Sequence, residues 1–286
     1  MSIPLNHHYV SQCQIREFFN DAGKIFLYDK SKNIFYSKTS SKNIFSERFA
    51  NSIYKNGKVD HQTLENDLRI FEDDYPSNVE LITDSIKAGK ITKECHHSLL
   101  SITLFGIIGG LRTPQRKQEL DDIIDKAFGQ FKDYLGGDQK KELERTNEFK
   151  KHVKYSNLLG YTETALRIVE RMGGLVFTIW HVQSDDCFIL PDTSATATRK
   201  QINQYFNPHV REIAEIGFPL TDKIFIHALS KKLGQEKSYI ARIDKNNNKA
   251  VMDINYNLFH FANNIVATSN ETYLKTLVTR VRDTVS

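Results

Sequence analysis

Two adjacent histidines near the start of the chain are the side chains best suited to carry out chemistry. His7 and His8 follow Asn6 and precede Gln12 and Arg16 within one short stretch. An imidazole titrates near neutral pH, so it can act as a general acid or base, or contact a phosphate. If the stretch is extended, the two rings point to opposite faces, and only one of them can face a shared site. The alternative is a structural histidine that hydrogen-bonds the N-terminal segment to the core.

Two arginines in different parts of the chain have the chemistry to bind an anionic substrate. A guanidinium group binds phosphate or carboxylate through two parallel hydrogen bonds. Arg16 lies four residues after Gln12, so a helix that begins at Val10 would place both side chains on one face. Arg199 lies far along the chain and would supply further positive charge. We therefore expect Gln12, Arg16 and Arg199 to bind substrate.

Two carboxylates and a third arginine complete the candidate site. Glu65 lies on a predicted helix whose apolar face must be buried, where a carboxylate can be a base, a metal ligand or a partner for arginine. Asp192 follows a predicted strand, a common position for a catalytic carboxylate, although an aspartate there equally often forms a turn or caps a helix. Arg112 suits anion binding, but an internal salt bridge from Arg112 to Glu65 or to Asp192 is the competing interpretation.

The sequence contains none of the standard catalytic signatures. The Walker A loop, G-x-G-x-x-G after a strand, H-E-x-x-H and G-x-S-x-G are absent, as is the Arg-x4-His pattern of HEPN ribonucleases. The three cysteines are far apart and form no C-x-x-C pair, which argues against a zinc ribbon. The adjacent His96 and His97 diverge by about 100° on a helix, so paired metal ligation is not expected. We predict no metal site and no cofactor, although the sequence does not exclude a divalent metal.

Composition indicates a globular protein without a membrane span. Of the 286 residues, 40% are hydrophobic and 26% are charged, and the mean hydropathy is -0.46. The longest apolar stretch, 99–111, is shorter than the ~20 residues that a membrane helix needs, and the N-terminus lacks a secretory pattern. Few cysteines, odd in number, indicate a reducing compartment, so we expect a cytoplasmic protein. The net charge of +4 permits contact with nucleic acid without predicting it, and the oligomeric state stays open.

The elements that must position these residues fall into three parts. In residues 1–59, the N-terminal segment forms a strap, and two apolar runs that flank a polar turn predict a β-hairpin. Residues 60–173 carry apolar residues at helical spacing and predict a helical bundle, with breaks at Pro76 and Pro114. The charged stretch 138–154 mixes both signs, so a solvated helix is favoured over a nucleic-acid arm.

The last part, residues 174–286, is rich in β-branched and aromatic residues and predicts strands followed by a helix. Strands are expected over 175–182, 187–190, 224–229 and 239–243, and a helix from Met252 to the end. The predicted fold is therefore a single α+β domain. It contains an N-terminal strap and β-hairpin, a central helical bundle, and a small C-terminal antiparallel sheet with a terminal helix.

A series of short motifs in a fixed order covers nearly the whole chain. They are His8-Tyr9-Val10-Ser11-Gln12-Cys13-Gln14-Ile15-Arg16-Glu17-Phe18, Tyr28-Asp29-Lys30, Leu64-Glu65-Asn66-Asp67-Leu68 with Glu72, Arg112-Thr113-Pro114, Leu190-Pro191-Asp192-Thr193-Ser194, Phe218-Pro219-Leu220-Thr221, and Ile254-Asn255 with Ala262. In this order the chain resembles an uncharacterised bacterial family, the domain of unknown function 4238.

The resemblance implies an architecture and a set of candidate residues, and no activity. It selects His8 rather than His7, because His8 occupies the family position. Two departures from the family pattern stand out. Ser11 replaces the usual proline of the first motif, and Thr193 with Ser194 replaces Asn-Pro, so the turn after Asp192 is expected to be less rigid.

Three functions are compatible with these residues. The first is a hydrolase acting on nucleic acid or a nucleotide, in which catalytic His8, Glu65 and Asp192 act with substrate-binding groups, namely Gln12, Arg16, Arg112 and Arg199. The second is a module that binds nucleic acid or an anionic ligand without catalysis. In the third, the same residues form a buried polar network that fixes the N-terminal segment onto the helices. If these residues converge in an open cleft, an enzyme is favoured. If they lie in a closed core, the structural role is favoured.

Overall fold

The computed structural model describes residues 6–55, 57–131, 136–138, 140–141, 148, 151–156, 160–201 and 211–285. Most of the charged stretch 138–154, for which the sequence predicts a solvated helix, lies outside these residues. The described chain has an α+β fold, as predicted. No described helix combines the length and the apolar composition that crossing a membrane requires.

The elements follow the chain in the predicted overall order. The strands are β1 (Asn6–His8), β2 (Ile25–Asp29), β3 (Ile34–Lys38), β4 (Ser46–Arg48), β5 (Ile53–Lys55), β6 (Lys58–Asp60), β7 (Leu175–Val182), β8 (Leu190–Pro191), β9 (Thr196–Lys200), β10 (Glu212–Pro219), β11 (Ile224–Ser230), β12 (Tyr239–Ile243) and β13 (Ile265–Thr268). The α-helices are α1 (Gln12–Arg16), α2 (Thr63–Asp73), α3 (Tyr75–Ala88), α4 (Lys93–Leu111), α5 (Pro114–Phe131), α6 (Tyr161–Arg171), α7 (Lys249–Phe261) and α8 (Glu271–Val285).

The N-terminal strap, residues 6–19, is tied down by pairing and by burial. Strand β1 pairs antiparallel with β4, and Val10, Ile15 and Phe18 are completely buried. The buried Gln14 amide donates to the carbonyls of Ser194 and Pro219, at 3.1 Å each. The strap is therefore fixed to residues 180 and 205 positions away in the chain.

Local sequence signals explain most of the helix boundaries. The Asp60 carboxylate accepts the first N–H groups around the start of α2, and the Thr92 hydroxyl accepts the N–H of Cys95 in α4. The predicted boundary between two helices at Pro76 is displaced in the structure. The break lies at Asp74, and Pro76 occupies the first turn of α3, where its missing N–H costs nothing. The break before Pro114 is confirmed, because α4 ends at Leu111 and α5 begins at Pro114.

The larger sheet has five strands in the order β12-β7-β11-β10-β9. Three of the predicted strands, β7, β11 and β12, are confirmed in position. The predicted antiparallel arrangement is wrong at one edge, because β12 pairs parallel with β7. Strands β9 and β10 were not predicted, since their alternating small, polar and charged residues resemble a loop in sequence.

The smaller sheet joins the two ends of the chain in the order β3-β2-β13-β8. The predicted hairpin supplies β2 and β3, paired antiparallel. Two other predictions are wrong here. The strand expected over 187–190 is reduced to the two-residue β8, which belongs to this sheet. The helix expected from Met252 to the end is interrupted by β13, because its short apolar run fills the place beside β2.

The core lies on both faces of the larger sheet. One apolar cluster packs α3, α4 and α6 against one face, and a second packs α7 and α8 around the smaller sheet and the other face. Helix α4 packs closely against the turn that follows β8. A Cβ built on Gly109 would lie 2.5 Å from the Cβ of Ser194. The glycines of α4 therefore bring the Asp192 turn and the Arg112 motif together.

Candidate functional site

Arg112 connects the N-terminal strap to the helices. It is only 3% exposed, and its Nη1 donates to the Ser11 hydroxyl and to Glu72 Oε1, both at 3.3 Å. Its Nη2 donates to the His8 carbonyl. These contacts favour the internal salt bridge over a substrate contact, although the acidic partner is Glu72 rather than Glu65 or Asp192.

The His8 ring is held between a backbone carbonyl and an amide. Its Nε2 lies 3.3 Å from the Ser41 carbonyl oxygen, and its Nδ1 lies 3.4 Å from Gln12 Nε2. Gln12 Oε1 in turn accepts the Ser41 hydroxyl at 2.9 Å. This network assigns the ring proton to Nε2. Burial lowers the pKa of His8, so the ring is neutral at pH 7.

Glu65 belongs to a polar network beneath His7. Its carboxylate accepts from the Asn51 amide, while the Asn51 backbone N–H donates to His7 Nδ1 at 2.8 Å. The Lys117 ammonium donates to Asn51 Oδ1 at 2.5 Å and to the Ala50 carbonyl at 2.7 Å. Burial, with help from the charge of Arg112, lowers the pKa of Lys117 to about 7. Lys117 was not predicted as a site residue, since a lysine on an amphipathic helix is normally exposed.

Asp192 fixes the backbone between α7 and β13. Its carboxylate accepts the N–H groups of Asn263, Asn264 and Ile265 at 2.7, 2.8 and 3.0 Å, and the residue is 3% exposed. Burial raises its pKa in spite of these hydrogen bonds. None of the hydrogen bonds described for Asp192 reaches His8, Glu65 or Arg112. This geometry favours the turn-forming interpretation.

The predicted site residues therefore separate into four places, of which the cavity that Arg199 lines is described below. His8, Gln12, Glu65 and Arg112 lie in connected hydrogen-bond networks around the strap, and Asp192 lies in a separate one. Arg16 is exposed on α1, and no hydrogen bond or ion pair is described for its side chain. The described residues contain no group of three or more His, Cys, Asp or Glu side chains that could hold a metal ion. Ser11, Asn51, Glu72 and Lys117 complete the strap networks and were not selected from the sequence.

Arg199 lines a cavity of about 420 Å³ between α4, α5 and the edge of the larger sheet. We call it the arginine cavity, because Arg116 lines it as well. Thr113, of the Arg-Thr-Pro motif, and Thr193, beside Asp192, contribute polar groups to its wall. The rest of the wall is mainly apolar: Gly106, Ile107, Gly110, Leu111, Ile168, Ala195, Ala197, Ile213, Ile216 and Phe261.

The polar part of the arginine cavity contains two arginines and one carboxylate, Glu119, so its net charge is positive. The first turn of α5 borders it, with the Arg116 N–H bonded to the Thr113 hydroxyl at 3.3 Å, so the positive end of the helix dipole lies at the wall. Arg116 pairs with Glu119 at 3.0 Å, which offsets part of its charge. Arg199 is exposed, and no ion pair of Arg199 is found within the described chain. The Thr193 hydroxyl is buried and has no hydrogen-bond partner among the described residues.

Small residues keep this cavity open. Gly110 on α4 has only the Thr193 carbonyl oxygen near the position of a Cβ, at 3.7 Å, so a larger side chain there would extend into the cavity. On the opposite wall, Ala195 and Ala197 flank the start of β9. The arrangement places one open, positively charged pocket beside two buried motif turns.

Comparison with known families gives one match, over residues 6–272, to a family described as "Protein of unknown function (DUF4238)". Comparisons with curated proteins and with solved structures gave no significant match.

Proposed function

The chain belongs to the DUF4238 family, whose description assigns no activity, and we propose that it binds a small organic anion in the arginine cavity. The observation that carries this proposal is that Arg199, for which the described chain supplies no ion-pair partner, lines the same cavity as the first turn of α5. A guanidinium group and a helix N-terminus both favour phosphate or carboxylate.

The size and lining of the cavity narrow the class of ligand. A volume of about 420 Å³ lies within the range of sites for small molecules. Its mainly apolar wall suits a ligand whose anionic group is attached to an aromatic or aliphatic body. A mononucleotide has this combination, and we propose it as the ligand class to test first. A simple phosphate or carboxylate ion would leave the apolar wall unused.

Binding should depend on Arg199. We expect calorimetric titration with nucleoside monophosphates to show binding that Arg199→Gln weakens about tenfold or more, since hydrogen bonds to charged groups contribute ~1.5–3 kcal/mol. Arg199→Lys should retain part of the affinity. The matched control is Arg69→Gln, which removes an exposed arginine that lines none of the cavities described here. Equal affinities in Arg199→Gln and Arg69→Gln would contradict the proposal.

Filling the cavity tests the same site without changing its charge. Gly110→Leu should abolish binding while leaving the protein folded, because leucine favours a helix more than glycine does. Gly129→Leu is the control, since a Cβ at Gly129 meets nothing within 4 Å. Neutral nucleosides and inorganic phosphate, titrated separately, show whether the anionic group and the apolar body are both required. Undiminished binding in Gly110→Leu would place the ligand elsewhere.

A second candidate function is hydrolysis of nucleic acid or a nucleotide, and His8 supports it. The ring is partly exposed, and its lowered pKa leaves it neutral and able to accept a proton at pH 7. The charges of Glu65 and Glu72 act on this ring. Turnover of RNA, DNA or nucleotides, with or without divalent metal, should be lost in His8→Gln and kept in His97→Gln, an exposed histidine of α4. No turnover of any of these substrates would remove the candidate.

We also propose that the protein acts in the cytoplasm. All three cysteines, Cys13, Cys95 and Cys187, are free thiols, which supports a reducing environment. Burial raises the pKa of each thiol, so none of them is activated for exchange at neutral pH. Fractionation of cells that express the tagged protein tests this location.

A further inference from the structure

A second cavity, of about 270 Å³, lies between α7 and the larger sheet. We call it the tryptophan cavity, because Trp180, the single tryptophan of the chain, lines it. Phe225, His227 and Phe261 contribute further rings to the wall. Aromatic surfaces on several sides favour a flat ligand that can stack on them or meet their edges.

The register of the sheet creates this cavity. Trp180 stands opposite Phe225, and in the next row His227 stands opposite Gly217, which stands opposite Thr196. A Cβ on Gly217 would lie 2.6 Å from Thr196 Oγ1 and 2.7 Å from Phe225 Cζ. Glycine at this position therefore leaves room for the surrounding side chains of the cavity floor.

One polar group in the wall, the Glu215 carboxylate, has unused hydrogen-bonding capacity. Glu215 Oε1 accepts from Lys200, whereas Oε2 lies 3.8 Å from His227 Nε2, too far for a direct hydrogen bond. The nearby His227 ring and the Lys200 ammonium lower the pKa of Glu215, so the carboxylate accepts hydrogen bonds and donates none. Trp180 contributes an aromatic surface to the wall, while its Nε1 is buried.

We infer that the tryptophan cavity binds a small, uncharged, planar nitrogen heterocycle of the nucleobase type. Such a ring carries N–H donors for Glu215, and its faces suit the aromatic wall. A cationic amine is a poorer fit, because Glu215 and Asp253 already pair with Lys200 and Lys249. The volume limits the ligand to about one ring system, since it lies just below the range of drug-sized sites.

The single indole N–H signal of a ¹⁵N-labelled protein provides a direct measurement. Titration with cytosine and with adenine should move this Trp180 resonance in a saturable way. n-Butylamine and tetramethylammonium should leave it unchanged. No shift with either base, up to their solubility limits, would overturn the proposal. A saturable shift with the amines alone would overturn the ligand class in favour of a cation site.

Matched variants test the named contacts. Glu215→Gln should weaken base binding about tenfold, since it replaces a charged acceptor. Glu212→Gln on the same strand should leave the affinity unchanged, because Glu212 pairs with Lys232 and does not line the cavity. Ala250→Leu, which fills the cavity from α7, should abolish binding. Equal affinity in Glu215→Gln and Glu212→Gln would overturn the assignment, as would full affinity in Ala250→Leu.

The two ligand sites can be separated experimentally. Thr196 and Phe261 line both cavities, so neither is a suitable test position. Arg199 lines only the arginine cavity, and Glu215 only the tryptophan cavity. Base binding should therefore persist in Arg199→Gln, and anion binding should persist in Glu215→Gln. Loss of base binding in Arg199→Gln, with the fold intact, would overturn the second site as an independent one.

Discussion

At the scale of single residues, the motif side chains mostly hold the chain together. Arg112 bonds to the strap backbone, to Ser11 and to Glu72, and Asp192 bonds to three consecutive N–H groups. Most polar atoms of these two side chains are engaged, although Arg112 Nε is buried without a partner among the described residues. Arg199, by contrast, is exposed and lines a cavity.

Arg112 should contribute strongly to stability. Arg112→Met removes the donor to the His8 carbonyl and the positive charge beside the hydrogen-bonded Ser11 and Glu72, and we expect a loss of about 3 kcal/mol in the free energy of unfolding. Urea denaturation measures it. Arg16→Met, on the exposed side of the strap, should change stability by less than about 0.5 kcal/mol. Similar values for the two variants would show that the Arg112 contacts are not structural.

Lys117 should make stability rise with pH. Its pKa is about 7 in the folded protein against an ordinary 10.5, because burial disfavours the ammonium form. Above pH 7 the unfolded chain therefore binds more protons at this position than the folded chain does, and the folded state gains stability up to the ordinary pKa. Between about pH 7 and 8.5 we expect a gain of up to about 1.4 kcal/mol per pH unit relative to Lys117→Met.

Chemical denaturation of both proteins across this pH range provides the measurement. The comparison with Lys117→Met cancels the titration of His8 and of the three cysteines, which both proteins share. Lys126→Met, an exposed lysine of the same helix, should show the wild-type slope. A slope that is the same in all three proteins would mean that Lys117 keeps an ordinary pKa in the folded state.

At the scale of elements, the approach of α4 to the turn after β8 organises the site. Gly109 allows this approach, and Ser194 in the turn has a φ of +64°. A proline, which the family resemblance suggests at this position, is confined to a φ near -65° and cannot adopt this conformation. Serine is compatible with the observed turn. Its hydroxyl donates to Gln14 in the strap at 2.8 Å.

Adding one methyl group on α4 should test this packing. Gly109→Ala would place a Cβ against the Ser194 side chain, and we expect a destabilisation of about 2 kcal/mol from overpacking. Gly129→Ala, where a Cβ meets nothing, should instead stabilise by up to about 1 kcal/mol through helix propensity. Thermal and urea denaturation of the two variants should therefore shift in opposite directions. A stabilised Gly109→Ala would contradict the close contact.

At the scale of the whole molecule, the ends of the chain meet in one sheet. Strand β2, near the N-terminus, pairs with β13, near the C-terminus, and β13 also pairs with β8. The strap reaches the other sheet through Gln14 and the Pro219 carbonyl. These long-range pairs connect the strap, the helices and both sheets. None of the three parts recognised in the sequence therefore forms a separate structural unit.

This coupling predicts one cooperative unfolding transition. Trp180 fluorescence reports on the larger sheet, whereas far-ultraviolet circular dichroism is dominated by the helices, and the two denaturation curves should have the same midpoint. Asp192→Ala should lower both midpoints together, because it releases the α7–β13 connection from β8. Two separate midpoints in the wild-type protein would indicate independently folding parts.

Sequence patterns predicted the elements whose signals are local. The apolar runs on either side of a polar turn predicted the β2–β3 hairpin, and helical spacing with Pro114 predicted the boundary between α4 and α5. Strands β9 and β10 were missed because their residues resemble a loop in sequence, and β13 was missed because its partners β2 and β8 are distant in the chain. For the same reason, Lys117 and Glu72 were not identified as partners of the strap.

The sequence by itself determined the fold class, the order of most elements and the family, because hydrophobic periodicity and short motifs are local properties. Only the tertiary structure decided which polar residues share a site. It placed Arg112 and Asp192 in separate buried networks and left Arg199 facing a cavity, since burial and pairing depend on elements brought together from across the chain. The residue type determines which chemistry a side chain can perform. Its neighbours in the folded protein determine whether the side chain is accessible to a ligand.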